Sequence, residues 1–282
     1  MSLRNLAKLI NEANKEKTPE QEFLAIYNET IKRSQKPRTP SRTYKPSSLG
    51  GCMRRMYYEV TGAPVDENIT IDPNLVEIME SGTDRHQRIQ QTIIKAQELG
   101  YDIEWVDVEE YLDKWPQPGT RVIEKVGMET KLKNDILNLS FMCDGIIKLK
   151  GEYYILEIKT EASFKWNGRV SPFEKHQVQA IAYATALGIN KVLFVYENRD
   201  FCSKKAFVMN VTEQMKEEKV IHKIETCNAY IEKGIVPPCT CTQSERNYCP
   251  YTTQCEKDGE TKQEDIEKVE GRKKSETGRC IR

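Results

Sequence analysis

Apolar positions recur along the chain at two periods, and the switches between them mark the elements. Between Asp72-Pro73 and Gly100, Met79, Gly82, His86, Ile89 and Ile93 stand 3, 4, 3 and 4 residues apart. That is the spacing of one helix face, and it predicts a helix with His86 turned towards the core. From Val122 to Lys131, Ile136 to Leu149 and Tyr153 to Thr160 the pattern is strand-like, and Lys150-Gly151 joins the last two as a hairpin. Ser171-Pro172-Phe173-Glu174 predicts a capped helix ending before Gly188, followed by strands at Lys191 to Glu197 and Lys205 to Val211 and a helix from Thr212 to about Lys233. Nearer the N-terminus, Thr18-Pro19-Glu20-Gln21 combines an N-cap, a first-turn proline and a capping-box glutamine, and the helix fades near Ser34. This order predicts an α/β fold with a mixed central sheet flanked by helices.

The chain has 282 residues, enough for one large domain with appendages, and its 43 Lys and Arg balance 43 Asp and Glu. Neither global disorder nor wholesale polyanion binding is indicated, so any nucleic-acid surface must be local. The best local candidate runs from Ile31 to Tyr58, where Lys32, Arg33, Lys36, Arg38, Arg42, Lys45, Arg54 and Arg55 occur without an acid; Arg42, Lys45, Arg54 and Arg55 are its expected phosphate contacts. A solvated linker broken by Pro37, Pro40 and Pro46 explains the same stretch equally well. No apolar run approaches the roughly 20 residues a spanning helix needs, and Met1-Ser-Leu-Arg4 lacks a signal-peptide stretch. A soluble, cytoplasmic protein with no membrane partner is expected. The expected segments are a helical extension and basic linker (1–46), the core (47–236), a cysteine segment (237–256) and a charged, flexible tail (257–282).

Within Ile136 to Asp144, alternation puts Leu137, Leu139, Phe141 and Cys143 on a core face and leads the other face to Asp144. In Tyr153 to Lys159 it groups Tyr153, Ile155, Glu157 and Lys159, with Tyr154, Leu156 and Ile158 on the reverse. The hairpin lets Asp144 and Glu157 converge on one cation, with Lys159 one pleat beyond. Two acids and a lysine suit phosphodiester hydrolysis with Mg²⁺ or Mn²⁺, which needs oxygen ligands, an activated water and neutralised phosphate charge. The bland alternative, an exposed cross-strand salt bridge, contributes only about 0–1 kcal/mol. The flanking apolar strands, the tight hairpin, the upstream histidine and the downstream helix favour chemistry.

With Gly82-Thr-Asp-Arg-His86 before the strands and Gln179-Ala-Ile-Ala-Tyr183 on the following helix, the segment from Ser47 to Cys255 resembles the RecB-like exonuclease branch of the PD-(D/E)XK nucleases. That resemblance implies a restriction-endonuclease-like core. It implies metal ligation by His86, Asp144, Glu157 and the Ile158 carbonyl, and a Lys159 that orients water and stabilises transition-state charge. Gln179 and Tyr183 would position the DNA backbone or the metal-bound residues. An imidazole ligand favours Mn²⁺ somewhat over Mg²⁺. The implied activity is a DNA exonuclease of phage or bacterial replication, recombination or repair, in a bacterial cell or phage-infected host, with a recombination or replication protein as its implied partner. A site- or structure-specific endonuclease on the same core is the alternative, as is a non-catalytic, metal-stapled DNA-binding subunit.

Nine cysteines in an intracellular chain stay reduced, so their grouping reads as a metal site. Cys239, Cys241, Cys249 and Cys255 fall within seventeen residues, after Pro237-Pro238. Four thiolates suit either a 4Fe-4S cluster or tetrahedral Zn²⁺. Upstream, Cys52-Met-Arg-Arg-Met-Tyr-Tyr58 resembles a segment of the four-cysteine iron-sulfur nucleases, such as the AddB nuclease domain and the CRISPR-associated four-cysteine nucleases, which pair one early cysteine with three late ones. The resemblance implies Cys52, Cys241, Cys249 and Cys255 as cluster ligands and ranks iron-sulfur above zinc. Cys239 is the alternate ligand, because Arg246 stands where the family carries a cysteine three positions before Cys249. Cys143, Cys202 and Cys227 are expected in the core, and Cys280 exposed.

Overall fold

The computed structural model describes residues 17–36, 38–66 and 72–271, and its chain divides into two units, Met1–Arg38 with Asn68–Glu80 and Thr39–Glu67 with Ser81–Arg282. In the smaller unit, α1 (Pro19–Ser34) starts at the expected capping box: Thr18 accepts from the Gln21 amide, and the Gln21 side chain accepts from the Thr18 amide. None of its residues is buried.

The larger unit holds α2 (Pro46–Leu49), α3 (Met53–Thr61), the main length of α4 (Pro73–Glu98), β1 (Ile103–Val106) and α5 (Val108–Lys114). There follow β2 (Thr120–Val126), β3 (Glu129–Asn134), β4 (Leu139–Cys143), β5 (Gly145–Leu149), β6 (Glu152–Glu161), α6 (Ser163–Trp166), α7 (Glu174–Leu187), β7 (Lys191–Asn198) and β8 (Lys204–Asn210). A helical segment then runs through α8 (Glu213–Lys216), a π-helical turn (Glu217–Ile221) and α9 (His222–Glu232), and α10 (Gln243–Arg246), α11 (Thr252–Asp258) and α12 (Gln263–Glu270) complete it. The expected α/β class holds: a five-stranded mixed sheet, ordered β1-β5-β6-β7-β8 with β6 and β7 parallel, stands beside a three-stranded antiparallel sheet, β2-β3-β4.

Both faces of the larger sheet are covered. Ile155, Val192, Phe194 and Tyr196 pack with Val178, Ile181 and Tyr183 of α7. Leu156, Ile158, Leu193 and Val195 pack with Ile89 and Ile93 of α4. Central strands buried on both sides therefore read as almost continuous apolar runs.

Three sequence expectations need correction. Val122 to Lys131 is the body of the β2–β3 hairpin, which turns at Gly127 (φ 61°). Ile136 to Leu149 is two strands in two different sheets, broken at Asp144. A Cβ on Gly145 would lie 2.3 Å from the Trp105 ring, so only glycine lets β5 pass beneath that indole as the chain changes sheets. Helix α7 starts at Glu174 with no side-chain cap from Ser171; Gln177 instead donates to the Pro172 carbonyl at 2.7 Å. The Lys150-Gly151 turn is as expected, both residues having positive φ and Leu149 pairing with Glu152.

The appendages also differ from expectation. Tyr44, placed by sequence in a linker, is buried, bridges Leu139 and donates to Asn228 at 2.6 Å. Within the charged stretch after Cys255, Gln263–Glu270 forms α12, whose Glu270 accepts from Tyr230 at 2.7 Å, and residues 272–282 lie outside the described residues. Cys143 and Cys227 are buried, Cys202 is exposed on a left-handed backbone (φ 56°) in the β7–β8 turn, and Cys280 lies outside the described residues.

Glu59 ties α3 to the C-terminal segment. Its buried carboxylate accepts from Tyr251 at 2.6 Å and from the Ser41 amide at 2.8 Å, and pairs with Lys45 at 3.0 Å. Burial raises its pKa, but those donors and the lysine outweigh it and hold the carboxyl at about 2. A depressed folded-state pKa gives stability that is present above the unfolded value of about 4.5 and lost as pH falls through that value towards 2. The window of about 2.5 pH units corresponds to about 3 kcal/mol. Urea unfolding of the wild type and Glu59→Gln should therefore differ fully near pH 7, begin to converge as pH falls through about 4.5, and coincide only as it approaches about 2.

Candidate active site and cysteine cluster

The break at Asp144 places this residue between two hydrogen-bonded registers. Thr130 pairs with Cys143 on one side, so the next step sets Glu129 opposite Asp144; Gly145 pairs with Leu156 on the other, so the preceding step sets Glu157 there. Three carboxylates thus meet where the two sheets part. His86 joins them from α4, its Nδ1 lying 3.3 Å from Glu129 and 3.4 Å from Asp144. His86, Glu129 and Asp144 offer ligand atoms all within 4.8 Å of one another. Sequence reasoning missed Glu129, since nothing in its local pattern separates it from a solvated strand end.

Asp144 is held by one oxygen, which accepts from the Ile158 amide at 2.7 Å. Within a strand the amide and carbonyl of one residue point to the same edge, so the Ile158 carbonyl faces the gap left where β5 ends. Glu157 is 1 % exposed, and its Oε1 has an ion pair with Lys159 Nζ at 2.5 Å but no hydrogen bond in good geometry. A buried carboxylate oxygen in that state is costly unless a further cation neutralises it. Burial, with the Asp144 charge adding to it, pushes Glu157 up to about 7 against the opposing pull of Lys159. Burial would lower the His86 imidazole, but hydrogen bonds and charge from Asp144 and Glu129 raise it to about 10. The imidazolium so favoured partly neutralises the acids around it.

The α7 residues also converge. Lys159 Nζ donates to Gln179 at 3.3 Å, and the Gln179 amide donates to Tyr183 at 2.6 Å. Tyr183 is buried and stacks on Phe141, with ring centroids 4.9 Å apart. One turn earlier, His176 Nδ1 is hydrogen-bonded to the Tyr196 hydroxyl at 2.7 Å; burial and the charges of Lys159 and Arg169 hold it neutral, lowering it to about 3. Glu157, Lys159, Gln179 and Tyr183 therefore form one connected line.

Cys52, Cys239, Cys241, Cys249 and Cys255 surround a single small cavity at the start of α3. The sulfurs of Cys52, Cys239 and Cys241 lie within 4.8 Å of one another, so Cys239, held by sequence as the alternate, stands as close as Cys241. Burial and neighbouring thiols raise the Cys239, Cys241 and Cys249 thiols, whereas at Cys52 burial is outweighed by the Thr240 and Arg55 amides, which lower it. The donor set fits a thiolate-bound metal or cluster.

Arg54 corrects the reading of the basic stretch. It is buried, and donates to the carbonyls of Pro237 at 2.6 Å and Gly259 at 2.7 Å, to Thr261 at 2.8 Å and to the Cys255 sulfur at 3.4 Å. It clasps the C-terminal segment and cannot face phosphate. Arg55 lines the cysteine cavity, Lys45 pairs with Glu59, and exposed Arg42 lies against Gly62.

Among the described residues, no helix is long and apolar enough to cross a membrane. No family model matches the sequence, and no curated protein matches it. A solved structure described as "Crystal structure of SSO0001" aligns over 84% of this chain and 96% of that chain, at 17% identity and a TM-score of 0.42, a likeness too low to carry an argument.

Proposed function

We propose that this chain is a divalent-metal-dependent DNA nuclease with a PD-(D/E)XK core, cutting phosphodiester bonds exonucleolytically in DNA replication, recombination or repair. The observation that carries this reading is the meeting of Asp144, Glu157 and Lys159 at the break between β4 and β5, with a buried Glu157 oxygen that lacks a hydrogen bond. The residues fit Mg²⁺ or Mn²⁺: His86, Asp144, Glu157 and the Ile158 carbonyl would hold it, and Glu129 joins that set. When bound, the cation acidifies water and neutralises charge on the scissile phosphate.

The protein's own groups do the rest. The Ile158 amide fixes the Asp144 carboxylate, leaving its second oxygen towards His86. Lys159, steadied by Glu157 and Gln179, keeps a positive charge beside the acids, where it orients the attacking water and meets the charge developing on the phosphate. Tyr183 fixes Gln179 from beneath. The cysteine group supports a structural staple between α3 and the C-terminal segment, a 4Fe-4S cluster in the first reading and zinc in the second.

The test is incubation of purified protein with end-labelled single- and double-stranded DNA in Mn²⁺ or Mg²⁺, beside Glu157→Ala. Metal-dependent release of nucleotides by the wild type, reduced to background in the variant, is expected. Equal products from both proteins would sink the catalytic reading and favour a non-catalytic DNA-binding subunit; internal cuts would favour an endonuclease.

A further inference from the structure

Beyond the acidic site, the carboxyl ends of the parallel strands β6 and β7 carry a second constellation. Thr160 pairs with Glu197 and Glu161 with Asn198. Glu197 is wholly buried, yet three cations share it: Arg85 at 2.7 Å, Arg88 at 2.5 Å and Lys204 at 3.1 Å. One buried carboxylate faces three cations here, with Asp200 the next acid, near Arg85 and Arg199, and the Arg88 and Lys204 side chains are 47% and 42% exposed. Arg85 and Arg88 flank His86 in sequence on α4, within one helical turn of it.

Two exposed rings stand beside this charge. Phe164 is 77% and Phe201 76% exposed, unusual for the most apolar aromatic side chain. They follow two residues that are locked together: the Ser163 amide donates to Asp200 at 3.0 Å, and the Ser163 hydroxyl donates to the same carboxylate while lying 3.1 Å from the Asn198 side-chain oxygen. The Arg199 amide donates to the Glu161 carbonyl at 2.8 Å, and the Arg85 guanidinium donates to the Arg199 carbonyl at 3.0 Å. The start of α6 and the β7–β8 turn are thus one hydrogen-bonded ledge, tied to α4, and each of its two parts carries an exposed ring. Lys165 lies over the Phe164 ring, 5.7 Å from its centroid.

Exposed rings on a hydrogen-bonded backbone beside partly exposed cations suit a ligand with flat apolar faces and a repeating negative charge. We propose that this ledge binds a nucleic-acid strand with unpaired bases, which stack on Phe164 and Phe201 while Arg88 and Lys204 take its phosphates. A duplex keeps its bases stacked inside and offers the rings nothing, so the ledge selects single strands and presents them to the neighbouring acids. The inference extends the nuclease reading but is tested without cleavage.

The experiment measures fluorescence anisotropy of a labelled mixed-sequence oligonucleotide, single-stranded or as a blunt duplex of the same length, in EDTA and with the Glu157→Ala background. The single strand should bind more tightly than the duplex. Adding Phe164→Ala and Phe201→Ala should weaken single-strand binding about tenfold or more and leave duplex binding within about twofold. Both rings are exposed, so an unchanged Tm is the control for folding. Adding Arg88→Ala and Lys204→Ala leaves Arg85 on the buried Glu197 and should flatten the salt dependence of single-strand binding by about 1.4 in the log–log slope. Unchanged or equally weakened binding of both DNAs by the phenylalanine variant would overturn the proposal. So would a dimer in sedimentation that becomes a monomer in that variant, which would make the rings a self-association face. Failure of the nuclease reading appears separately, as cleavage indifferent to Glu157.

Discussion

Lys159→Ala is expected to slow DNA cleavage by about 10²–10³-fold, the loss typical of removing one preorganised donor from a site of developing negative charge. The lysine side chain is 21% exposed and is braced at both ends of its reach, by Glu157 at 2.5 Å and Gln179 at 3.3 Å. Its ammonium is therefore already placed before any substrate arrives, and little reorganisation is needed at the moment of reaction. Removing it also removes the charge that pulls the Glu157 pKa downwards, so the variant's pH profile should move to higher pH as well as lower rate. Lys159→Arg should rescue poorly, because a planar fork cannot replace a compact ammonium in this space. Gln179→Ala leaves the Glu157 anchor intact and should cost about tenfold or less. Single-turnover assays at saturating Mn²⁺ check all three, and a Lys159→Ala rate within threefold of wild type would exclude the assigned role.

The legible parts of this site are those set by a period within one element. Alternation placed Glu157 and Lys159 with Ile155, and helical spacing placed Gln179 with Tyr183, because each relation spans only two or four residues. What the sequence concealed depends on partners far along the chain. Gly145 looks like an interior strand residue until the Trp105 ring, forty residues earlier, is seen to occupy the space of its missing side chain. Glu129 gains its meaning from a register with β4 that sets it opposite Asp144 at the sheet break. Arg54 looks like one more exposed cation in a basic run, while its partners stand 183 to 207 residues away. Buried guanidinium groups satisfied by distant carbonyls have no local signature, since charge alone predicts exposure.

The same long-range closure makes Cys52→Ala the substitution with the largest expected effect on stability. Cys52 is the N-cap of α3, and its sulfur accepts from the Thr240 amide at 3.5 Å while lying within 4.8 Å of the Cys239 and Cys241 sulfurs. With the thiolate gone, the remaining sulfurs all belong to the C-terminal segment, so any metal they keep no longer joins that segment to α3. Structural thiolate zinc sites contribute about 10–16 kcal/mol of apparent binding free energy. Losing even about 5 kcal/mol of it would lower Tm by about 10 °C or more in a chain of this size. The Arg54 clasp and the Tyr251–Glu59 hydrogen bond remain, so the segment should loosen rather than unfold the core. Expected together are loss of bound iron or zinc by elemental analysis, loss of any visible absorbance, and protease cleavage near Gly234, where the chain leaves α9. Arg54→Ala in the metal-loaded protein separates the two contributions: it should keep the metal and fall in Tm by less. A Cys52→Ala protein with wild-type Tm and full metal content would show that the late cysteines bind alone, and that the staple to α3 rests on Arg54 and Glu59.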